Sequence, residues 1–141
     1  KIKKPENALK WITKALKNKD VVMGFGHRVY KSGDSRVPTM REYFGKVAKI
    51  KKDKKFEKIY DIVEKVMIDR KDIHPNVDYP TGPTYHLMGF DTDFFTPIFV
   101  ISRITGWSAH IMEQYAANKL IRPLASYKGS QHRKVIQLNQ R

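Results

Sequence analysis

The chain has 141 residues, of which 28 are lysine or arginine and 14 are aspartate or glutamate, giving a formal net charge of +14. It contains no cysteine and no long apolar stretch, which argues against a disulfide-built extracellular module and a membrane span, so we expect a cytoplasmic protein. The positive excess is typical of proteins that bind phosphate-rich partners: nucleic acids, nucleotides, coenzymes or anionic membranes.

Three helices are predicted in the first half of the chain. They begin at Pro5, at Pro38 and at about Asp53, and the first ends at 18–20. Each carries an apolar stripe at a spacing of three to four residues, which is typical of a helix with one buried face. The predicted core-facing residues are Ala8, Leu9, Trp11, Ile12, Ala15, Leu16, Met40, Tyr43 or Phe44, Val47, Ile50, Phe56, Ile59 or Tyr60, Val63 and Met67. Most lysines fall on the same helices and indicate solvated faces.

The second half is predicted to contain an irregular loop, a short helix and a long helix. The loop is DRKDIHPNVDYPTGP at 69–83, which holds three prolines and a glycine. A brief helix follows at 84–88, and Thr96-Pro97 begins a long helix that reaches Ala117. The first half of the long helix is apolar nearly all round, so we expect it to be buried between other elements. An extended tail follows Asn118, no strand pairing is evident, and the predicted fold class is all-α.

The stretch VVMGFGHRVYKSGDSR at 21–36 carries more chemistry than a turn requires. His27 follows a glycine turn, where free backbone N–H groups can face a ligand, and Arg28, Lys31 and Arg36 lie close by in sequence. A neutral imidazole held there can donate a hydrogen bond to a developing alkoxide and then protonate it. The alternative is a histidine that caps the next turn, and the residues alone leave both interpretations open.

Other side chains with chemical potential are a carboxylate and three arginines. Asp78 lies between prolines in HPNVDYPTG, where partial desolvation makes a carboxylate a better base; alternatively it caps the following helix. Arg36, Arg103 and Arg122 stand among apolar or turn residues, and guanidinium groups that converge can bind a di- or tricarboxylate bidentately. Three unrelated ion pairs are the alternative. The histidines show no metal-ligand spacing, so no metal site is predicted.

Four motifs together resemble the closing third of the citrate synthase family, in particular its bacterial 2-methylcitrate synthase and citrate synthase group. They are GFGHRVYKSGDSR, HPNVDYPTG, FFTPIFVISRITGWSAHIMEQ and LIRPLASYKG. The resemblance implies an all-helical, two-domain enzyme without a permanently bound cofactor. Such an enzyme condenses acetyl-CoA or propionyl-CoA with oxaloacetate and hydrolyses the thioester. Residues 1–92 would form most of the small domain, with the CoA loop and the base, and residues 93–141 the C-terminal helix and tail of the large domain and dimer interface.

The resemblance also implies roles for individual residues. By motif position, Asp78 matches the base that removes the thioester α-proton, and His27 matches the group that holds and protonates the oxaloacetate carbonyl. Residues matching oxaloacetate or citrate contacts are His27, Arg36, Phe99, Arg103 and Arg122, the last reaching the partner subunit's site. Residues matching CoA contacts are Val21, Val22, Met23, Gly24, Phe25, Gly26 and Lys31. Tyr79 and the stretch YPTGPTY are similar to enzymes that accept propionyl-CoA, often along with acetyl-CoA.

The family's other catalytic histidine, and a further oxaloacetate-binding one, lie upstream of the matching part. The resemblance therefore implies a fragment, inactive alone, of a homodimeric or higher oligomeric enzyme. Two alternatives from other classes are a helical module that binds CoA without catalysis and a basic nucleic-acid-binding module. The aromatic residues of the lysine-rich helices are Tyr43, Phe44, Phe56 and Tyr60. They keep core spacing instead of alternating with basic residues, which does not favour nucleic-acid binding.

Overall fold

The structure is a computed structural model that describes residues 2–118, 120, 126, 128–130 and 136–140. Arg122, implied by resemblance to contact oxaloacetate, lies outside these residues. Within them the secondary structure is helical, and the extended pairing found there is an isolated antiparallel bridge between Phe25 and Pro75. The all-α prediction is confirmed.

The α-helices are α1 (Ala8–Lys17), α2 (Val37–Ile50), α3 (Lys55–Lys71), α4 (Asp78–Met88) and α5 (Phe95–Ala116). Single 3-10 turns at Pro5–Asn7 and Thr92–Phe94 run directly into α1 and α5, and another lies at Leu138–Gln140. A proline lies near the start of α1, α2 and α5, where its missing N–H has no helical partner to lose. The predicted beginnings of these three helices are therefore close to the observed ones.

The core is formed by α1, α2 and α3, and its buried apolar residues are Ala8, Ile12, Ala15, Phe44, Ala48, Tyr60, Val63, Val66 and Met67. Helix α1 packs on α3, and α2 packs mainly on α4. Tyr60 joins the two pairs, because its ring centroid lies 5.5 Å from that of Phe44. Leu9 and Ile50 were predicted in the core but are exposed. Each lies well away around its helix from the buried stripe, because successive residues rotate by about 100°.

The predicted loop at 69–83 is wrong at both ends. Helix α3 continues until Asp72 ends it in the left-handed conformation, with a φ of 52°. Helix α4 already begins at Asp78 and contains both later prolines. Pro80 lies in its first turn, where a proline is tolerated, and Pro83 removes one internal hydrogen bond without ending the helix.

The chain divides into two compact units, Lys1–Ser102 and Arg103–Arg141, and α5 passes from the first to the second. No residue of α5 is buried, and Ile101 and Met112 are 71% and 70% exposed. The first half of this helix, expected to be buried between other elements, is therefore not buried in this chain by itself. An apolar surface on all sides needs neighbours on several sides, and the buried residues of α1–α4 face one another instead. None of the helices described is both long and apolar enough to span a bilayer.

Candidate active site

His27 is held by the turn that follows it. Its Nδ1 accepts the backbone N–H groups of Val29 and Tyr30 at 3.0 and 3.2 Å, and the Tyr30 ring stacks on the imidazole with centroids 4.4 Å apart. An Nδ1 that accepts two hydrogen bonds carries no proton, so the N–H of the neutral ring is on Nε2. The histidine thus caps the next turn, and the same contacts present Nε2–H as a donor.

The loop before His27 is fastened to the segment before α4. The Gly26 N–H donates to the His74 carbonyl, and the Asn76 N–H donates to the Gly24 carbonyl, both at 2.9 Å. The Asn76 side-chain amide adds a hydrogen bond to the Gly26 carbonyl at 2.9 Å. Three hydrogen bonds therefore hold the loop that ends at Gly26 beside the segment before α4. They bring His27 close to the beginning of that helix.

Tyr79 fills the space beside Gly24. With a φ of 88° at Gly24, a Cβ there would lie 2.9 Å from the Cβ of Tyr79, so the close approach requires glycine. The Tyr79 ring packs between those of Phe25 and Tyr60, each centroid 4.3 Å away, and its hydroxyl donates to the Tyr60 carbonyl at 3.0 Å. Burial raises the pKa of the Tyr79 phenol, which stays a donor at neutral pH. These contacts fix the position of its neighbour Asp78.

Arg36 is oriented by a buried carboxylate that the sequence analysis missed. Asp34 is 5% exposed and accepts the Arg36 Nε and Nη2 groups at 2.9 and 2.7 Å. It also accepts the backbone N–H groups of Arg36 at 3.0 Å and of Val77 at 3.2 Å. The hydrogen bonds from Arg36 lower the pKa of Asp34 to about 2. In the sequence this acid is part of GDSR, a composition typical of an ordinary turn. Only its position two residues before Arg36 could have indicated the pair.

The Arg36 guanidinium connects this pair to the other candidate residues. Its central carbon lies 5.7 Å from the centre of the Tyr30 ring, which in turn stacks on His27. Asp34 raises the pKa of Arg36 through its hydrogen bonds, and the Asp78 carboxylate adds a smaller electrostatic effect of the same sign. The structure therefore links His27 to Arg36 through the Tyr30 ring, and Arg36 through Asp34 to Val77, the residue before Asp78.

Asp78 is the first residue of α4 and stands at the edge of an open cleft. Its backbone N–H donates to the Asn76 side-chain oxygen at 3.0 Å, and the residue is exposed. The cleft has a volume of about 310 Å³ and an apolar lining that includes Met23, Phe56 and Pro83. A carboxylate at a helix N-terminus is stabilised by the helix dipole. The partial desolvation expected of a base is not present in this chain by itself.

The residues that match CoA contacts lie on the exposed loop before and after His27. Val21 and Met23 are exposed, whereas Val22 and Phe25 pack on the core between α1 and α3 and hold the loop in place. The Lys31 ammonium donates to the His27 carbonyl at 3.2 Å. Lys31 also lines a second open cleft of about 400 Å³, together with Arg28 and His74.

The other residues implied by the resemblance lie on α5. Phe99 and Arg103 are four residues apart, so they project from the same face of that helix. Arg103 belongs to the second compact unit, and Phe99 to the first. In the part of the chain that the structure describes, no group of three or more histidine, aspartate or glutamate side chains could hold a metal ion.

The similarity to known proteins extends over most of the chain. Residues 1–124 match the family model described as the C-terminal domain of citrate synthase. The chain belongs to the citrate synthase family. Among curated members, 2-methylcitrate synthase 2 of Corynebacterium glutamicum is 53% identical over 137 residues, which are 97% of this chain and 36% of that protein. Citrate synthase of Mycolicibacterium smegmatis is 52% identical over 131 residues, which are 93% of this chain and 35% of that protein.

Solved citrate synthases share the fold as well as the sequence. The citrate synthase of Thermoplasma acidophilum, in a ternary complex with carboxymethyl coenzyme A and oxaloacetate, is 36% identical with a TM-score of 0.74. The alignment covers 99% of this chain and 39% of that one. The family membership and the citrate synthase fold expected from the four motifs are confirmed. The chain spans about a third of the length of the curated relatives it matches, at 36% and 35% of the two named here.

Proposed function

We propose that the chain is the C-terminal part of an enzyme that condenses an acyl-CoA with oxaloacetate, forming citrate or 2-methylcitrate and free CoA. The observation that carries this proposal is the series of contacts from His27 through Tyr30, Arg36 and Asp34 to Val77, next to Asp78. It holds an N–H donor and an oriented guanidinium beside the helix start that carries a carboxylate. The similarity to proteins named 2-methylcitrate synthase and citrate synthase supports both products.

In the proposed reaction, Asp78 removes the α-proton of the thioester. The resulting enolate carbon forms a bond to the ketone carbon of oxaloacetate, whose carbonyl electron pair moves onto oxygen. His27 Nε2–H donates to that oxygen as charge develops and supplies its proton. Arg36 binds a carboxylate of oxaloacetate through the N–H groups that Asp34 leaves unused. Water then hydrolyses the thioester and releases CoA.

The loop at 21–31, helix α5 and the tail carry the other residues assigned to the reaction by the resemblance. Residues 21–26 bind the adenine of CoA through their backbone, and Lys31 lies near the phosphates. Phe99 lines the substrate pocket and Arg103 binds a carboxylate, while Arg122 reaches into the partner subunit's site. The exposure of Asp78 in this chain means that bound substrate and the rest of the enzyme must supply its desolvation. We assign 1–92 to the small domain and 93–141 to the large domain of a cytoplasmic homodimer or higher oligomer.

The test compares propionyl-CoA and acetyl-CoA as substrates of the full-length protein that contains this chain. An extra methylene in an apolar pocket changes transition-state binding by only about 1–3 kcal/mol, so we expect both thioesters to react with oxaloacetate. The measurement is kcat/KM for each thioester, from the release of CoA. A preference for acetyl-CoA of about a hundredfold or more would contradict the 2-methylcitrate assignment. No CoA release with either thioester would contradict the proposed function itself.

A further inference from the structure

We infer that Asp34 is the positioning residue of this site: its buried carboxylate orients the Arg36 guanidinium and anchors the beginning of α4, which carries Asp78. The inference rests on the proposed function. Both carboxylate oxygens are fully used, since Oδ1 accepts the backbone N–H and Nε of Arg36, and Oδ2 accepts Arg36 Nη2 and the Val77 N–H. The Asp34 side chain is 1% exposed, so water does not compete for these bonds.

The first role of Asp34 concerns the direction of the guanidinium. The Arg36 side chain is 40% exposed and would sample several rotamers without a fixed partner. Asp34 binds it along the Nε–Nη2 edge of the fork, at 2.9 and 2.7 Å. The two Nη1 hydrogens and the second Nη2 hydrogen remain for another acceptor. Asp34 therefore leaves Arg36 able to bind a second carboxylate from a defined direction.

The second role concerns the position of the base. Val77 is the residue at the N-terminal boundary of α4, and its N–H donates to Asp34 at 3.2 Å. The next residue is Asp78. One carboxylate thus holds the substrate-binding group and the base at a fixed separation. Misplacement of reacting groups by about 1 Å costs on the order of a hundredfold in rate, so this link is expected to appear in the kinetics.

The principal test is Asp34→Asn in the full-length enzyme. An amide of the same shape replaces one acceptor oxygen by an NH₂ group, which faces donors and cannot accept from them. We expect KM for oxaloacetate to rise by about tenfold or more and kcat to fall by about tenfold or more, with KM for the acyl-CoA within about twofold of wild type. The control is Asp61→Asn, which removes the carboxylate of the Arg41–Asp61 pair, whose atoms lie 2.9 Å apart on α2 and α3. This control variant should leave kcat and the KM values for oxaloacetate and acyl-CoA within about twofold of wild type.

A second variant, Val77→Pro, separates the two roles and keeps Asp34 intact. The φ of Val77 is −59°, which suits proline. The substitution removes the N–H that reaches Asp34 and places the ring Cδ where that hydrogen pointed, so Asp34 Oδ2 loses its link to α4. We expect kcat to fall by a larger factor than KM for oxaloacetate rises, because Asp34 Oδ1 keeps its two bonds to Arg36. A general loss of stability would not produce this separation. An unchanged oxaloacetate KM in folded Asp34→Asn overturns the first role. A Val77→Pro variant with wild-type kcat overturns the second.

A binding-independent measurement separates this inference from the proposed function. In the present chain, the Arg36 Nε–H should exchange slowly in an NMR spectrum and become fast in Asp34→Ala, because both acceptor oxygens are removed. Fast exchange in the unmodified chain would overturn the inference whatever the enzyme does. Slow exchange together with an inactive full-length enzyme would instead contradict the proposed function and leave the Asp34 link in place.

Discussion

Helices α1–α4 bury apolar side chains, whereas helix α5 exposes them. Ile12 and Phe44 are fully buried within the first group, whereas Ile101 of α5 is 71% exposed. The first group has narrow apolar stripes that face one another, and α5 is apolar nearly all round. The difference indicates that α1–α4 form a body with its own core, whereas no residue of α5 is buried and its apolar side chains are largely exposed. The residues proposed for proton transfer lie on that body or its loops.

The largest expected effect is on stability and concerns a matched pair of truncations in this chain. Phe44→Ala removes a fully buried ring and should destabilise the chain by about 3–5 kcal/mol. Ile101→Ala on α5 should change the free energy of unfolding by less than about 0.5 kcal/mol. Urea denaturation followed by circular dichroism measures both. Similar losses for the two variants would show that α5 is as well packed as the core.

The next largest effect is on catalysis. In the full-length enzyme, Asp78→Asn should lower kcat by about a hundredfold or more with a modest change in oxaloacetate affinity, because the proton acceptor is lost while its size is kept. The control is Asp69→Asn, at an exposed position of α3, which should leave kcat within about twofold. A raised KM with unchanged kcat for Asp78→Asn would make the residue a binding or structural group.

The glycine loop gives a smaller effect on stability. Gly24→Ala places a Cβ 2.9 Å from Tyr79 at a φ of 88°. We expect the free energy of unfolding to fall by about 1–2 kcal/mol because of the left-handed backbone, and to fall further because of the close contact. Gly45→Ala is the matched control, because a Cβ there makes only ordinary contacts of 3.5 Å or more inside α2. That variant should be stabilised by up to about 1 kcal/mol. Equal thermal shifts for both variants would contradict the close packing of the loop on Tyr79.

The smallest expected effect is a pH dependence. The pKa of Asp34 is about 2 in the folded chain and 3.8 as the ordinary value, so its ionised form stabilises the folded state. That contribution is complete above about pH 4 and disappears as the pH falls towards about 2. The difference in Tm between wild type and Asp34→Asn should therefore be smaller at about pH 2.5 than at about pH 5. The same difference at both values would mean that the ion pair does not stabilise the fold.

The sequence predicts helices well where a proline that begins a helix is followed by an apolar stripe at helical spacing. Pro5 and Pro38 mark the beginnings of helices whose apolar stripes then form the core. The prediction fails at α4 because Pro80 and Pro83 were counted as helix breakers. A proline in the first turn costs a helix little, and the packing of α4 on α2 stabilises the helix beyond the second one.

The candidate site is only partly visible in the sequence, for a related reason. His27 and Arg36 stand out because a histidine and cations follow glycines. Asp34 does not, since its role depends on Val77, a residue 43 positions away whose N–H it accepts. Tyr79 likewise gains its importance from a contact with Gly24 that exists only after the loop folds back. Long-range contacts of this kind leave no local pattern.

Amide hydrogen exchange of the isolated chain tests most directly whether α1–α4 form a self-packed body that carries a preassembled site. We expect the N–H groups of Gly26, Asn76 and Val77 to be protected together with those of the buried residues of α3. The amides of α5 should exchange rapidly. Light scattering must show a monomer, because exposed apolar surface favours self-association. Strong protection of α5 in a monomer, or unprotected site amides beside a protected α3, would contradict the account.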